Sequence, residues 1–171
     1  PIFTDWWLGK PKPGENALRL YAILDSVSCV GAFSFVIRPG EVTVADVEAS
    51  LILRETDKIQ AANPDRKPIL SLGVAPLTSM FWFGKNSERR FDDYRPEVHD
   101  SDGMLMKLDN GETLWRPLNN AGVMRHQRFA VKNPRGFGLL QRERRYAAYQ
   151  DTFNPYHLVP SVWVEPRGDW G

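Results

Sequence analysis

The 171-residue sequence has a single cysteine, no long apolar run and no excess of charge of one sign. Because Cys29 has no second cysteine to pair with, a disulfide within the chain and a cysteine-rich metal module are both excluded. The longest apolar stretches reach about seven residues, far short of the roughly 20 that cross a bilayer as a helix. The 22 basic and 21 acidic residues nearly cancel. We therefore predict no membrane span and no nucleic-acid partner.

Signatures of metal and cofactor sites are also missing. The three histidines, His99, His126 and His157, are scattered, and no His-Glu-x-x-His motif places two of them on one helix face. There is no phosphate-binding loop and no Gly-x-Ser-x-Gly elbow. The prediction is a protein with neither a metal nor a cofactor.

Aromatic residues and turn formers are abundant instead. Aromatics make up 12% of the chain, and there are 13 glycines and 13 prolines, a composition typical of all-β proteins. Strand-like apolar or alternating runs occur at 18–24, 32–37, 47–53, 69–75, 78–84, 104–108, 112–115, 127–131, 137–140 and 162–164. Asn110-Gly111 predicts a hairpin between 104–108 and 112–115, and a second pair is expected from 127–131 and 137–140. A helix or loop is predicted over 56–66 and a short helix over 143–150. Many short, closely spaced strands predict a β-sandwich or a barrel.

The densest group of chemically active residues is the acidic run from Asp92 to Asp102. It holds five carboxylates in eleven residues, with Tyr94, Arg95 and His99 interleaved. Crowded carboxylates raise one another's pKa, so such a run can keep one acid protonated, as a glycosidase general acid requires. Turn-forming Asp-Ser-Asp-Gly equally fits a solvated loop. A calcium loop of the EF-hand type is excluded, because its first ligand would be Val98.

Three tryptophans in or beside strands offer faces for stacking on sugar rings. They are Trp82, Trp115 and Trp163, and core packing is the competing interpretation of each. Trp82 is the strongest stacking candidate because it precedes the acidic run by about one hairpin. Trp115 opens the segment 115–120, in which Arg116, Asn119 and Asn120 carry donors suited to hydroxyl-rich ligands. A strand end followed by a turn explains the same segment.

Several of these stretches together resemble a known family. They are 73–84, the acidic run through Gly103, 115–120, 133–142 and 163–171. All are similar to the periplasmic glucan biosynthesis proteins G and D (OpgG/MdoG and OpgD), and the resemblance covers nearly the whole chain. It implies a periplasmic protein, exported with a signal peptide, that acts on glucans with a β-1,2-linked backbone. It also implies an all-β fold with a large β-sandwich of the galactose-mutarotase-like (supersandwich) type, followed by an immunoglobulin-like domain. Residues 1–171 are expected to form the carboxy-terminal part of the large domain, without the second domain.

The resemblance further implies an inverting β-1,2-glucanase. The aspartate of the Glu-x-His-Asp motif, which is the general acid in the family, corresponds to Asp100. The general base would lie upstream of Pro1. The family has an acidic, proton-relaying loop after 141–142, but here Gln150 and Phe153 stand where acidic residues are expected and only Asp151 remains. Candidate substrate-binding residues are Glu97, His99, Tyr94, Arg95, Trp82, Trp115 and Arg116.

Three hypotheses follow. The first is a glycoside hydrolase in which Asp100 protonates the glycosidic oxygen while a water attacks from the opposite face. The second is a non-catalytic protein that holds β-1,2-glucan and presents it to other glucan-biosynthesis proteins, which the altered loop favours. The third keeps only a structural β-sandwich with no sugar site, because fold does not dictate function.

Overall fold

The computed structural model describes residues 1–54, 56–62, 64–65, 72–88 and 92–170. These residues form two compact units, Pro1–Leu72 and Gly73–Gly171. Both consist mainly of antiparallel strands, with little helix. The predicted all-β, sandwich-like fold class is confirmed at the level of strand content and antiparallel pairing. No helix in the described part of the chain has the length and apolar content needed to cross a bilayer.

The first unit is a four-stranded meander. Its strands are β1 (Ile2–Leu8), β2 (Leu18–Asp25), β3 (Cys29–Arg38) and β4 (Val44–Leu53), followed by helix α1 (Thr56–Ala62). Each strand pairs with the next along the chain. The β2–β3 and β3–β4 ladders run without interruption, while a bulge near Thr4 shifts the β1–β2 register. Strand β1 was not predicted from the sequence.

One face of this sheet carries the apolar residues, because period-two alternation places every second side chain on it. Phe3, Trp6, Phe33 and Phe35 form an aromatic cluster there, with ring centroids 4.9 to 6.4 Å apart. Strand β4 nevertheless stays exposed at each of its positions. The strand pairing in this sheet is therefore regular, but few of its side chains are buried.

The second unit has shorter strands and more irregular chain. Its strands are β5 (Phe81–Phe83), β6 (Val98–His99), β7 (Gly103–Lys107), β8 (Thr113–Pro117), β9 (Gly136–Leu140) and β10 (Val162–Val164). They form a four-stranded sheet in the order β10-β9-β7-β8 and a separate β5–β6 pair. Helix α2 (Tyr146–Tyr149) and a 3₁₀ turn (Tyr156–Leu158) follow β9. A core cluster of Phe83, Val98, Tyr149 and Tyr156 lies beneath the β5–β6 pair.

The predicted hairpin is confirmed, and the second predicted pair is wrong. Strands β7 and β8 pair antiparallel and are joined through Asn110-Gly111, with Gly103 opposite Pro117 and Lys107 opposite Thr113. Residues 127–131 form no strand, and β9 instead pairs with β7 and β10. Gly138 explains the β9–β10 pairing: a Cβ there would lie 2.0 Å from the Val162 carbonyl oxygen, so only glycine allows this close approach.

Other boundaries differ in detail. Within 56–66, predicted as a helix or a loop, a helix is present over 56–62 and 64–65 form a turn, while 63 and 66 lie outside the described residues. The strand predicted over 78–84 shortens to 81–83. Of the apolar run 69–75, residues 72–75 form no strand and the remainder lies outside the described residues. The short helix predicted over 143–150 is present at 146–149.

Candidate functional site

A half-open pocket of about 380 Å³ lies in the second unit, where the β5–β6 pair, the end of β8 and the segment after β9 meet. The strands around the pocket are short, so much of its lining comes from the loop residues that follow them. Its lining consists of Phe81, Gly84, Lys85, Asn86, Glu97, His99, Asp102, Trp115, Pro117, Leu118, Arg142 and Glu143. The size matches that of small-ligand sites in proteins.

The centre of the pocket is a buried carboxylate–imidazole pair. Glu97 and His99 are 3% and 1% exposed, and Glu97 Oε2 lies 3.1 Å from His99 Nε2. The Lys85 backbone N–H also donates to Glu97 Oε2, at 3.3 Å. Glu97 Oε1 accepts no hydrogen bond from any described residue and forms an ion pair with Lys85 Nζ at 3.3 Å. Glu97 Oε2 is thus held by two partners, while Oε1 meets only the Lys85 ammonium and can accept a further hydrogen bond.

The surroundings of His99 assign its tautomer. Its Nδ1 is buried and has no hydrogen-bond partner in the described part of the chain, whereas Nε2 faces Glu97 and lies 3.8 Å from Asp102 Oδ1. A proton on Nδ1 would be a buried, unsatisfied donor, which is costly. The proton therefore resides on Nε2, and His99 donates to Glu97.

Asp102 is oriented by backbone donors. Its Oδ2 accepts the N–H groups of Arg142 at 2.6 Å and Glu143 at 3.3 Å. Its own N–H donates to the Leu140 carbonyl, and its carbonyl accepts the Leu118 N–H. Asp102 therefore ties the ends of β8 and β9 together and leaves Oδ1 on the side of His99.

A second layer of charge surrounds Glu97. Lys85 Nζ lies 2.9 Å from Glu143 Oε2, and Arg145 Nη2 lies 2.7 Å from the same oxygen. Hydrogen bonds from Arg145 and Lys85 hold the pKa of the Glu143 carboxyl well below its usual range. The hydrogen bond to Glu143, with Glu97 as a further partner, raises the pKa of Lys85. Glu143 stays an anion and Lys85 a cation at any physiological pH.

Aromatic and glycine residues shape the walls. Phe81 stacks on His99 with centroids 5.3 Å apart, and Arg142 lies over the Trp115 ring at 5.5 Å. Trp115 packs across Gly103: a Cβ at Gly103 would lie 2.7 Å from Trp115 Cζ2 and 2.6 Å from the Arg116 carbonyl oxygen. The indole of Trp115 is thus held beside the pocket.

Tyr149 packs against His99. It is fully buried, and its ring meets that of His99 edge-on at 5.2 Å. Gln141 donates through Nε2 to the Tyr149 hydroxyl at 2.6 Å and to the Tyr156 carbonyl at 3.0 Å. Burial, and then the carboxylates of Asp102, Glu97 and Glu143, raise the pKa of Tyr149. Its hydroxyl therefore stays protonated and uncharged.

The structure brings only part of the predicted site together. Glu97, His99 and Trp115 line the pocket, whereas Asp100, Trp82, Tyr94, Arg95 and Arg116 do not. Tyr94 is 72% exposed and Trp82 is 41% exposed. The Arg116 guanidinium lies over the Phe129 ring at 5.2 Å.

Asp100 lies beside β5. Its Oδ2 accepts the Met80 N–H at 3.1 Å, and its own N–H donates to the Met80 carbonyl at 2.8 Å. Asp100 and Asp102 are both at bends of the chain and bond to different elements, Met80 and Arg142 respectively. The role of Asp100 as a general acid stays a prediction.

Arg95 braces the chain through two carboxylates. Its guanidinium bonds to Asp93 Oδ2 and to Asp151 Oδ2, both at 2.6 Å. Asp151 Oδ1 in turn accepts the N–H groups of Phe153 and Asn154, both at 2.9 Å. The Asn154 N–H and the Arg95 guanidinium lower the pKa of Asp151 to about 2. This clamp connects the acidic run to the loop that contains Gln150 and Phe153.

Among the described residues, Glu97, His99 and Asp102 are close enough together to be tested as ligands of one metal ion. Their ligand atoms all lie within 4.8 Å of one another. The Lys85 ammonium, 3.3 Å from Glu97, already neutralises part of this charge and would repel a cation. The short Glu97–His99 contact is satisfied as a hydrogen bond, so the arrangement fits a polar ligand better than a metal ion.

Comparison with known proteins decides the family. A family model described as "Periplasmic glucan biosynthesis protein, MdoG" matches residues 1–171. The chain belongs to this family. A "Glucans biosynthesis protein G" of Pseudomonas putida is 45% identical over 171 residues, covering all of this chain and 28% of that protein. A "Probable glucans biosynthesis protein D" of Shewanella oneidensis is 48% identical, again over the whole chain and 29% of the relative.

A third relative, a "Glucans biosynthesis protein G" of Pseudomonas syringae pv. tomato, is 47% identical over the whole chain and 25% of its own length. The chain thus spans less than a third of the curated MdoG relatives that it matches. The resemblance seen in the sequence motifs is confirmed.

Sequence reasoning missed several residues of the pocket in this MdoG-family chain. Lys85 gave no signal, because a lysine after a strand usually faces solvent. The mixed-charge composition of the run 142–145 is typical of a solvated face, and Arg142, Arg144 and Arg145 are exposed. Glu143 is the exception, with a side chain 13% exposed between Lys85 and Arg145. Lys85 and Glu143 are 58 residues apart in the sequence, so their ion pair is visible only in the folded structure.

Proposed function

We propose that this chain contributes to periplasmic glucan biosynthesis by binding a β-1,2-linked glucan in the pocket around Glu97. The observation that carries the proposal is the buried Glu97 carboxylate, whose Oε1 accepts no hydrogen bond from the described residues. The aromatic residues Phe81 and Trp115 line the same pocket. The names of the matching family and of the relatives supply glucan as the substrate class, and the β-1,2 linkage is what the family resemblance implies.

Carboxylates and aromatic rings are the two kinds of group that recognise sugars. A sugar hydroxyl donating to Glu97 Oε1 would form a charge-assisted hydrogen bond, the stronger kind. Phe81 and Trp115 line the pocket, and the part of the indole that the Arg142 guanidinium leaves uncovered offers apolar surface for the C–H side of a pyranose ring. Lys85, held by Glu97 and Glu143, can donate to a second hydroxyl.

The test is calorimetric titration of the protein with a β-1,2-glucan oligosaccharide. Glu97→Gln keeps the size of the side chain but removes its charge, and should weaken binding roughly tenfold or more, the effect of losing a hydrogen bond to a charged group. Glu41→Gln is the matched control, since Glu41 is exposed and lies in the other unit. Thermal unfolding of both variants establishes that the fold is retained.

If wild type and Glu97→Gln bound the oligosaccharide with equal affinity, the pocket around Glu97 would not be the glucan-binding site. Absence of any binding by the wild type would favour the purely structural hypothesis. Replacement of the β-1,2 oligosaccharide by a β-1,4-linked one tests linkage, and equal affinity for both would contradict the specific substrate.

Cleavage of the glucan is the second candidate, and the match of the Glu-x-His-Asp motif at Asp100 favours it. Asp100 as general acid would transfer its proton to the glycosidic oxygen as the C–O bond breaks, while a water attacks the anomeric carbon and gives its proton to a base.

Release of reducing ends from β-1,2-glucan distinguishes the two candidates. If hydrolysis is the function, Asp100→Asn abolishes release without weakening binding. If the wild type binds but releases nothing over a long incubation, the chain holds glucan and presents it to other components of the pathway.

A further inference from the structure

Positive charge is concentrated in one segment of this nearly neutral chain. The 30 residues from Thr113 to Arg142 include six Arg and Lys residues and no Asp or Glu, although the whole chain has 21 acidic residues and a formal charge of +1. Among the described residues, none of the six cations forms an ion pair with a carboxylate. All six are exposed: Arg116, Arg125, Arg128, Lys132, Arg135 and Arg142. The segment therefore creates a local positive field that the net charge hides.

Most of these cations belong to one long surface loop. Residues 118–135, between β8 and β9, contain neither helix nor strand. The loop is anchored at both ends, because the Leu118 N–H donates to the Asp102 carbonyl at 2.9 Å and the Asn133 N–H donates to the Trp170 carbonyl at 2.8 Å. Loops of this length without secondary structure of their own are uncommon and often functional.

The middle of the loop is apolar and exposed. Val123 and Met124 are 69% and 98% exposed, and neither lines the Glu97 pocket. Arg128 follows on the same loop, and the Arg116 guanidinium lies 5.2 Å from the centroid of the Phe129 ring, so a cation of β8 joins those of the loop. Exposed apolar side chains among unpaired cations are typical of segments that bind an anionic bilayer at its interface.

A protein partner fits these features less well. Protein interfaces have an apolar centre that is ringed by polar residues and packs against a complementary surface. Val123 and Met124 are adjacent in the sequence and too few to form such a centre. A fluid bilayer needs no complementary shape, because lipids rearrange around an inserted side chain while headgroup phosphates meet the cations.

We infer that the loop 118–135 binds an anionic lipid surface. Val123 and Met124 enter the interfacial region, and Arg128 and Lys132 form charge-assisted hydrogen bonds with lipid phosphates. The attachment is peripheral and reversible, since it combines a few cations with two apolar side chains. This inference goes beyond the proposed function and does not depend on glucan binding.

The experiment measures co-sedimentation of the protein with vesicles of phosphatidylcholine, alone or mixed with phosphatidylglycerol. Wild type should bind the mixed vesicles and release them at high salt, which screens the cations. Arg128→Gln/Lys132→Gln should weaken binding about 25-fold, or about fivefold for each cation near an anionic surface. Met124→Ser should weaken it about tenfold, because apolar area no longer leaves water.

Matched controls lie in the first unit. Lys10→Gln/Lys12→Gln removes the same charge from two exposed positions, and Val42→Ser removes an apolar side chain that is 76% exposed. Both should bind the mixed vesicles within about twofold of wild type, a change too small to count as a lost contact. Thermal unfolding of all variants establishes that their folds are retained.

Several outcomes would overturn the inference. Equal binding of wild type to both kinds of vesicle, or binding to neither, would exclude recognition of an anionic lipid. If Lys10→Gln/Lys12→Gln lost as much as Arg128→Gln/Lys132→Gln, the loop would not be the attachment site. Retention on immobilised polyglutamate without vesicle binding would replace the lipid by an acidic protein. Loss of glucan binding in Glu97→Gln, or its absence in the wild type, tests the proposed function separately.

Discussion

The two units of the chain bury different kinds of side chain. In the first unit, the buried apolar residues are Ala22 and Cys29, and none of the charged or polar side chains described there is buried. In the second unit, the buried polar side chains are Glu97, His99, Ser101, Gln141 and Asp151, beside the aromatic core of Phe83, Tyr149 and Tyr156.

This difference follows from the strands. Long ladders such as β3–β4 satisfy their own backbone groups and leave side chains on two open faces. Strands of two to five residues leave loops whose backbone groups need side-chain partners, and Asp102 and Asp151 supply them. A binding pocket with fixed polar groups arises in the second kind of structure, because only there are carboxylates held away from water.

The largest contrast is expected between Tyr149 and Tyr21. Tyr149→Ala removes a fully buried ring beneath His99 and should lower the free energy of unfolding by about 4 kcal/mol. Tyr21→Ala, on the sheet of the first unit where the ring is 45% exposed, should cost less than about 1 kcal/mol. Urea unfolding measures both, and similar values would contradict the difference between the units.

The ion pairs provide the next test. Arg95→Met leaves the buried Asp151 carboxylate without its counter-ion and should cost about 3 kcal/mol. Arg54→Met breaks the exposed pair with Asp25 in the first unit and should cost below about 1 kcal/mol.

The Asp151 pair also predicts a pH dependence. The pKa of Asp151 falls from 3.8 to about 2 on folding, so its stabilisation is full above the higher value and is lost as pH falls towards the lower one. Without the Arg95 guanidinium the folded-state pKa of Asp151 lies nearer its unfolded value, so Arg95→Met should lose less stability on acidification than wild type. Arg54→Met leaves the Arg95–Asp151 pair intact and should follow the wild-type profile. Unfolding curves at about pH 7 and about pH 3 provide the measurement; parallel losses in the wild type and Arg95→Met would contradict the clamp.

The smallest contrast concerns two crowded glycines. Gly103→Ala would push a methyl group into the Arg116 carbonyl and the Trp115 ring, with an expected cost of about 2 kcal/mol and a change in tryptophan fluorescence. Gly31→Ala meets only the ends of the Leu51 and Phe33 side chains, at 2.8 Å, which can rotate away. Its cost should stay below about 1 kcal/mol, and a larger loss than for Gly103→Ala would show that the first unit is the more tightly packed.

Local patterns in the sequence predicted most of the strands. Alternation placed β2, β3 and β4, and Asn110-Gly111 placed the β7–β8 hairpin, because both signals act between near neighbours. The partner of β9 was missed, since it depends on Gly138 meeting Val162 across more than 20 residues of chain. Pairing over such distances leaves no local signal.

The acidic run shows what the sequence determined about the candidate site and what only the tertiary structure decided. Its residue types, and the family motifs around it, predicted that carboxylates, a histidine and an aromatic belong to one site, because those chemical groups are properties of the chain itself. Tertiary structure decided which of them face the pocket: Glu97, His99 and Asp102 do, and Asp100 bonds to Met80. It also added Lys85 and Glu143, because burial and the ion pairs between distant residues exist only once the chain has folded.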